Sequence, residues 1–240
     1  MNLLLLFKNL VAALKEAVAA PVHVTRLQTK YPTCHIYPGV YIDELSTLYG
    51  YNVIFANTSV VNSVIGSHSF IQKNSRVLNA DIGKFCSISS RVSIGLGRHA
   101  TSMVSSHPAF YSKSQPAAKT FSLTDDYVPF KRIQIGNDVW IGENVMVMDG
   151  VKIGNGAVIA MGSVVTGNVP DYAIVAGNPA RVFMSRFDED IKKRLLASRW
   201  WDKPDDWLQE HGATFSDPKK LLSVLEKTKC TNIHEVICPE

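Results

Sequence analysis

No two cysteines in these 240 residues form a CxxC unit, and Cys34, Cys86, Cys230 and Cys238 make no His/Cys set at zinc spacing. That pattern speaks against a structural zinc site, and the four read as reduced thiols of a reducing compartment. Cys230 and Cys238 are close enough in sequence to pair, but nothing else argues for an oxidising location. Runs of like charge are also missing, and the net charge of +4 is spread along the chain. Nucleic-acid binding is therefore not suggested, while a local basic patch for a phosphorylated small molecule stays open. No apolar run is clean enough to span a bilayer. The N-terminal MNLLLLFKNLVAALKEAVAA has no basic stretch before its apolar residues, and Lys8, Lys15 and Glu16 interrupt it. A secretory signal fits it poorly. Leu3, Leu6, Leu10, Leu14 and Val18 share one helical face, so residues 1–30 are expected to be an amphipathic helical segment. Its apolar face either packs on its own protein or a neighbouring subunit, or touches a membrane surface.

What the chain does have is a period of six. Ile135, Ile141, Val147, Ile153, Ile159 and Val165 recur at that step, with Gly136, Gly142 and Gly154 directly behind three of them. A second row, Val139, Val145, Val151, Ala157 and Ser163, keeps the same step. Upstream, Ile82, Ile88 and Ile94 follow it, as do Ile65 and Ile71; the step slips by one at Val77. Ile36, Ile42, Leu48, Ile54 and Val60 fit loosely, with few glycines. A period of six is neither helical nor that of a half-buried strand. It fits an all-β solenoid of short strands and corners, whose coils together bury an aliphatic column that no single repeat buries alone.

The runs IGKFCSIS (82–89), IGNDVWIGENVMVMDGVKIGNGAVIAMGSVV (135–165), VAGNPARV (175–182) and SRFDEDIKKRLLASRWWD (185–202) resemble the hexapeptide-repeat acetyltransferases. The likeness is to the branch holding the chloramphenicol and streptogramin acetyltransferases and the sugar O-acetyltransferases, and it covers roughly residues 50 to 225. It implies a left-handed parallel β-helix over 31–184, a protruding loop over 97–132 and a helical tail over 185–240. It also implies acetyl-CoA as co-substrate, no metal, and a homotrimer with active sites between subunits.

The six-residue step stops after Ile94 and resumes at Ile133 or Ile135. The interval contains Pro108, Pro116 and Pro129 and the aromatics Phe110, Tyr111, Phe121, Tyr127 and Phe130. So long an excursion in a compact domain is usually functional or disordered, and this one is too aromatic to read as disordered. It is expected to cover a substrate; the alternative is an arm that buries its aromatics at a subunit contact. Moving an acetyl group to a hydroxyl needs a base for the hydroxyl proton, and histidine titrates near neutrality. The resemblance implies that the base is the histidine at the loop entrance, which here is His99. His107, before Pro108, is the rival; with Phe110 and Tyr111 it is expected to position the acceptor.

Carried over residue by residue, the resemblance implies that Trp140 and Gly142 flank the pantetheine arm. Ala160, Met161, Gly162 and Ser163 would offer it backbone groups, and Thr166, Asn178 and Arg181 would lie toward the nucleotide. Gly167 and Met184 stand where many relatives carry basic residues, so Arg186, Lys192 or Lys193 is expected to supply charge for the 3′-phosphate. The SSHPAFYS loop points to a hydroxyl of a sugar or surface-polysaccharide precursor as acceptor. The alternatives are antibiotic inactivation and, from another class, a non-catalytic scaffold. A carbonic-anhydrase-like site would need histidines that the downstream repeats lack. The expected location is the cytoplasm, at the inner face of the membrane if the N-terminal segment meets lipid.

Overall fold

Each repeat unit becomes a strand of two or three residues ending in an inward aliphatic side chain, and three such strands make one triangular coil. The computed structural model describes Phe7 and residues 22–114 and 117–234. The helical face through Leu3, Leu6, Leu10, Leu14 and Val18 lies outside the described residues, as does Pro116. A helix over 22–30 precedes the first coil. Leu27 and Tyr31 join the solenoid core, and Gln28 donates to the Cys34 carbonyl (2.6 Å) and accepts from the Ile36 N–H (3.3 Å). The end strands, which would otherwise present unpaired backbone, are covered in this way.

Successive strands fall in turn on three faces, forming sheets of eight, six and five strands. Register is maintained throughout. On the first face Ile36, Ile54, Ile71, Ile88, Ile141, Ile159 and Val175 stack in one column. Ile42, Val60, Val77, Ile94, Val147 and Val165 stack on the second. Leu48, Ile65, Ile82, Ile135, Ile153 and Val169 stack on the third. All are buried, each contributing about 1.5–3 kcal/mol by leaving water. The loose early repeats are thus as regular as the later ones. The slip at Val77 does not break its column, because Asn79, at φ +54°, turns the corner alone; Asn62, at φ +45°, does the same one coil earlier.

Corners take a left-handed residue, as the glycine and asparagine pattern suggests, but Tyr51 and Phe85 also adopt it. A bulky side chain is strained there. Both rings stack on His68, at 4.9 and 4.7 Å, so His68 belongs to an aromatic ladder along one corner. Glycine is demanded where coils touch: a Cβ on Gly83 would lie 2.6 Å from the Gly136 carbonyl carbon.

The chain divides into two compact units, Met1–Phe183 and Met184–Glu240. The second is helical, with helices Glu189–Ser198, Asp205–His211 and Pro218–His234. Trp200, Trp201, Leu221, Leu222 and Leu225 are buried within it, so the WWD aromatics are core.

Candidate active site

Between the strands Ser93–Ile94 and Ile133–Ile135 the chain leaves the solenoid at the corner between its second and third faces. The exit is clamped on both sides. Gly97, at φ +77°, donates its N–H to buried Asp149 Oδ2 (2.7 Å), and Arg98 donates its N–H to the Pro129 carbonyl (2.9 Å). Asp149 Oδ1 is also buried and has no hydrogen-bond partner. Sequence reasoning missed Asp149; its place in an Asp-Gly corner, Asp149-Gly150, was the available signal.

His99 follows directly. Its Nδ1 lies 2.8 Å from the Ser106 carbonyl oxygen and 3.2 Å from the Tyr111 hydroxyl, which itself donates to the Ser106 carbonyl at 3.2 Å. A carbonyl only accepts, so the arrangement is satisfied when Nδ1 carries the proton and the Ser106 oxygen takes both hydrogens. Nε2 then keeps its lone pair, and the residue is exposed. Tyr111 is only 1% exposed. Its hydroxyl turns back onto His99, and an edge contact with Tyr127 holds the ring (5.4 Å).

His107 is bound differently. It caps the short 3-10 helix Pro108–Phe110, its Nδ1 accepting from the Ala109 N–H at 3.2 Å. With Nδ1 committed as acceptor, neutral His107 carries its proton on Nε2 and presents a donor. Phe110 is exposed and stacks on Phe121 at 5.4 Å. The loop is further tied by Asp125, which accepts from the Ser112 and Ser114 hydroxyls and from the Lys113 and Ser114 N–H groups. Those bonds, Ser112 first and Ser114 next, hold its carboxyl below the usual carboxylate range.

The residues expected to meet acetyl-CoA gather mostly at another edge. Exposed Trp140 opens the first-face strand Trp140–Ile141; Gly142 and the Ala160–Ser163 corner lie one above the other between the first and second faces. Gly142 is required by packing, since a Cβ there would approach the Met161 nitrogen to 2.6 Å. The N–H groups of Ala160 and Gly162 already bond to the Val175 and Glu143 carbonyls (2.9 and 2.8 Å), and the buried Ser163 hydroxyl accepts from the Gly177 N–H (3.1 Å). The corner is nonetheless open to a ligand. A Cβ on Gly162 meets nothing within 4 Å, and Met161 is exposed. Asn178, joined to Pro179 by a cis bond, and Arg181 are exposed above this corner. Thr166 lies on the His99 side, two coils above the loop exit. Gly167 also faces open space, so no steric demand explains the absence of a basic residue there. In the second unit Lys192 pairs with Glu189 and Arg186 lies over the Phe187 ring (5.2 Å), while Lys193 is exposed. A groove of about 490 Å³ on the third face, along Gly83, Gly136 and Gly154, contains none of the candidate residues.

Comparison with known proteins agrees with this architecture. The family description "Bacterial transferase hexapeptide (six repeats)" matches residues 132–167. A chloramphenicol acetyltransferase of Agrobacterium fabrum is 35% identical over 168 residues, covering 66% of this chain and 79% of the relative. A probable macrolide acetyltransferase of Lysinibacillus sphaericus is 38% identical over 124 residues, covering 50% of this chain and 68% of the relative. Among solved structures, a hexapeptide-repeat acetyltransferase of Vibrio cholerae O1 biovar eltor, complexed with acetyl-CoA, is 26% identical, with 62% and 72% of the two chains covered and a TM-score of 0.45. The chain belongs to the hexapeptide-repeat acetyltransferases and is an acyltransferase.

Proposed function

We propose that the protein transfers an acetyl group directly to a hydroxyl of a sugar or surface-polysaccharide precursor, with His99 as general base. The observation that carries this reading is the pinned Nδ1 of His99, 2.8 Å from the Ser106 carbonyl. It leaves Nε2 as the proton acceptor and supports the imidazolium that forms when the proton arrives. Acetyl-CoA supplies an activated acyl carbon. His99 Nε2 takes the hydroxyl proton as the oxygen bonds to that carbon, and returns it to the sulfur as the C–S bond breaks. His107 Nε2–H and the Phe110–Phe121 pair offer a donor and an apolar ring surface, a combination suited to a sugar ring.

The site is proposed to be shared between copies of the chain in a homotrimer. His99 leaves one corner of the triangle while Trp140, Gly142 and the Ala160–Ser163 corner occupy another. A neighbouring prism would bring a second copy's corner to the loop. A second reading, inactivation of an antibiotic, is favoured by the relatives named for chloramphenicol and macrolides. Release of free CoA, measured against sugars, glycan precursors, chloramphenicol and streptogramin A, separates the two. Turnover of a glycan hydroxyl, lost in His99→Ala while acetyl-CoA still raises the melting temperature, supports the first reading. Turnover of the antibiotics alone replaces it with the second. Mixing His99→Ala with Gly162→Trp chains tests the shared site: restored activity requires residues from two copies.

A further inference from the structure

We infer that the N-terminal end of the solenoid is a membrane-docking surface, formed by a ring of exposed side chains on the first coil. Tyr37, Tyr41, Leu45, Tyr49 and Tyr51 are 45–72% exposed and are distributed around all three faces. The columns of Tyr41, Leu45 and Tyr49 show that the solenoid does not demand them. The outward place of Tyr41 is filled by Ser59 and then Arg76 in the next two coils. The place of Tyr49 is filled by Gly66 and Gly83, and that of Leu45 by Asn62 and Asn79. Among the described residues from 52 to 95, no large apolar side chain is exposed. At Tyr41, Leu45 and Tyr49 the first coil therefore carries apolar surface that the same backbone one coil later replaces with serine, asparagine or glycine, while Tyr37 stacks on Phe55 and Tyr51 on His68 of the next coil (4.9 Å each).

The distribution selects the occupant. A protein packed alongside the prism covers one face, whereas a plane meeting the end of the prism reaches all three. Tyrosine suits a lipid–water boundary, because its ring enters the apolar layer while its hydroxyl stays hydrated. The adjoining sequence has matching chemistry. Residues 1–21, rich in Leu, Val and Ala with Lys8 and Lys15 among them, run directly into the helix over 22–30, where Arg26 and Lys30 are exposed. Basic and apolar groups at one end favour a bilayer containing anionic lipid. Among the described residues no helix is long and apolar enough to cross a membrane. In a side-by-side trimer three such ends would face one surface and multiply a weak affinity.

The test is flotation of the full chain with vesicles of phosphatidylcholine alone and of phosphatidylcholine with phosphatidylglycerol. A triple variant, Tyr41→Ser, Leu45→Asn and Tyr49→Ser, introduces side chains of the kind that the neighbouring coils or strands tolerate. Its fold is checked by an unchanged acetyl-CoA-induced melting shift. The wild type is expected to float with the anionic vesicles and the triple variant to bind them about tenfold more weakly, a loss of about 1.4 kcal/mol. Equal flotation of the two, or no flotation of the wild type, overturns the proposal. So does a wild type that ignores vesicles but forms an assembly that the triple variant loses, which would make the ring a contact between copies. Retardation of the wild type by soluble glycan without vesicle binding overturns it as well.

Discussion

In the solenoid a residue's role follows from its column; in the loop over 95–132 it follows from individual contacts. Ile88 and Ile141 do the same thing one coil apart, both fully buried on the first face. His99 and His107 do different things eight positions apart, one pinned through Nδ1 as a donor and the other capping through Nδ1 as an acceptor. Surface chemistry also differs between the coils that precede the loop and the loop itself. The coils over 52–95 expose no large apolar side chain, while the loop exposes Met103, Val104, Phe110, Phe121, Leu123 and Val128. A repeating frame supplies rigidity and fixed exit points for the inserted segment, here the Asp149–Gly97 and Pro129–Arg98 bonds.

Four substitutions test that contrast. The largest effect is expected from the loop: His99→Ala should lower kcat by about 10²–10⁴-fold, the usual contribution of a general base, with melting temperature unchanged. Retained turnover would remove His99 from the chemistry. Next comes the frame, where Ile141→Ala should cost about 2–5 kcal/mol in denaturant unfolding through the cavity it leaves in a column with no exposure. A loss below that range would mean that the coils relax around the gap. Tyr111→Phe keeps the buried ring but removes its hydroxyl from Ser106 and His99. It is expected to lower kcat by about two- to tenfold, the worth of one hydrogen bond, and to leave the KM for acetyl-CoA unchanged. An equal change in KM would point to a general loosening of the loop. The smallest effect on turnover is expected from His107→Ala, which should raise the acceptor's KM with kcat nearly intact. A fall in kcat matching that of His99→Ala would make His107 a partner in proton transfer.

The family resemblance and the repeat pattern point to His99 at the loop entrance, and the geometry gives its Nδ1 a backbone acceptor. Ser106 carried no signal, because it contributes its carbonyl oxygen and any residue has one. Tyr111, expected beside the acceptor, lies buried next to His99, a contact that no sequence spacing announces. The strained corners at Tyr51 and Phe85 were equally hidden, since their rings stack with His68 only once three coils are aligned.

Periodicity alone determined which aliphatic side chains point inward and where the solenoid is interrupted, since a column of buried residues repeats at the spacing of the coils that bury it. Tertiary structure decided the rest. The Val77 slip became a tight corner, two distant segments closed the loop exit, and Nδ1 of one histidine met a carbonyl while that of the other met an N–H. Those outcomes depend on which backbone atoms lie within about 3 Å of a side chain. Residues as far apart in sequence as Gly97 and Asp149 become neighbours only when the coils have stacked.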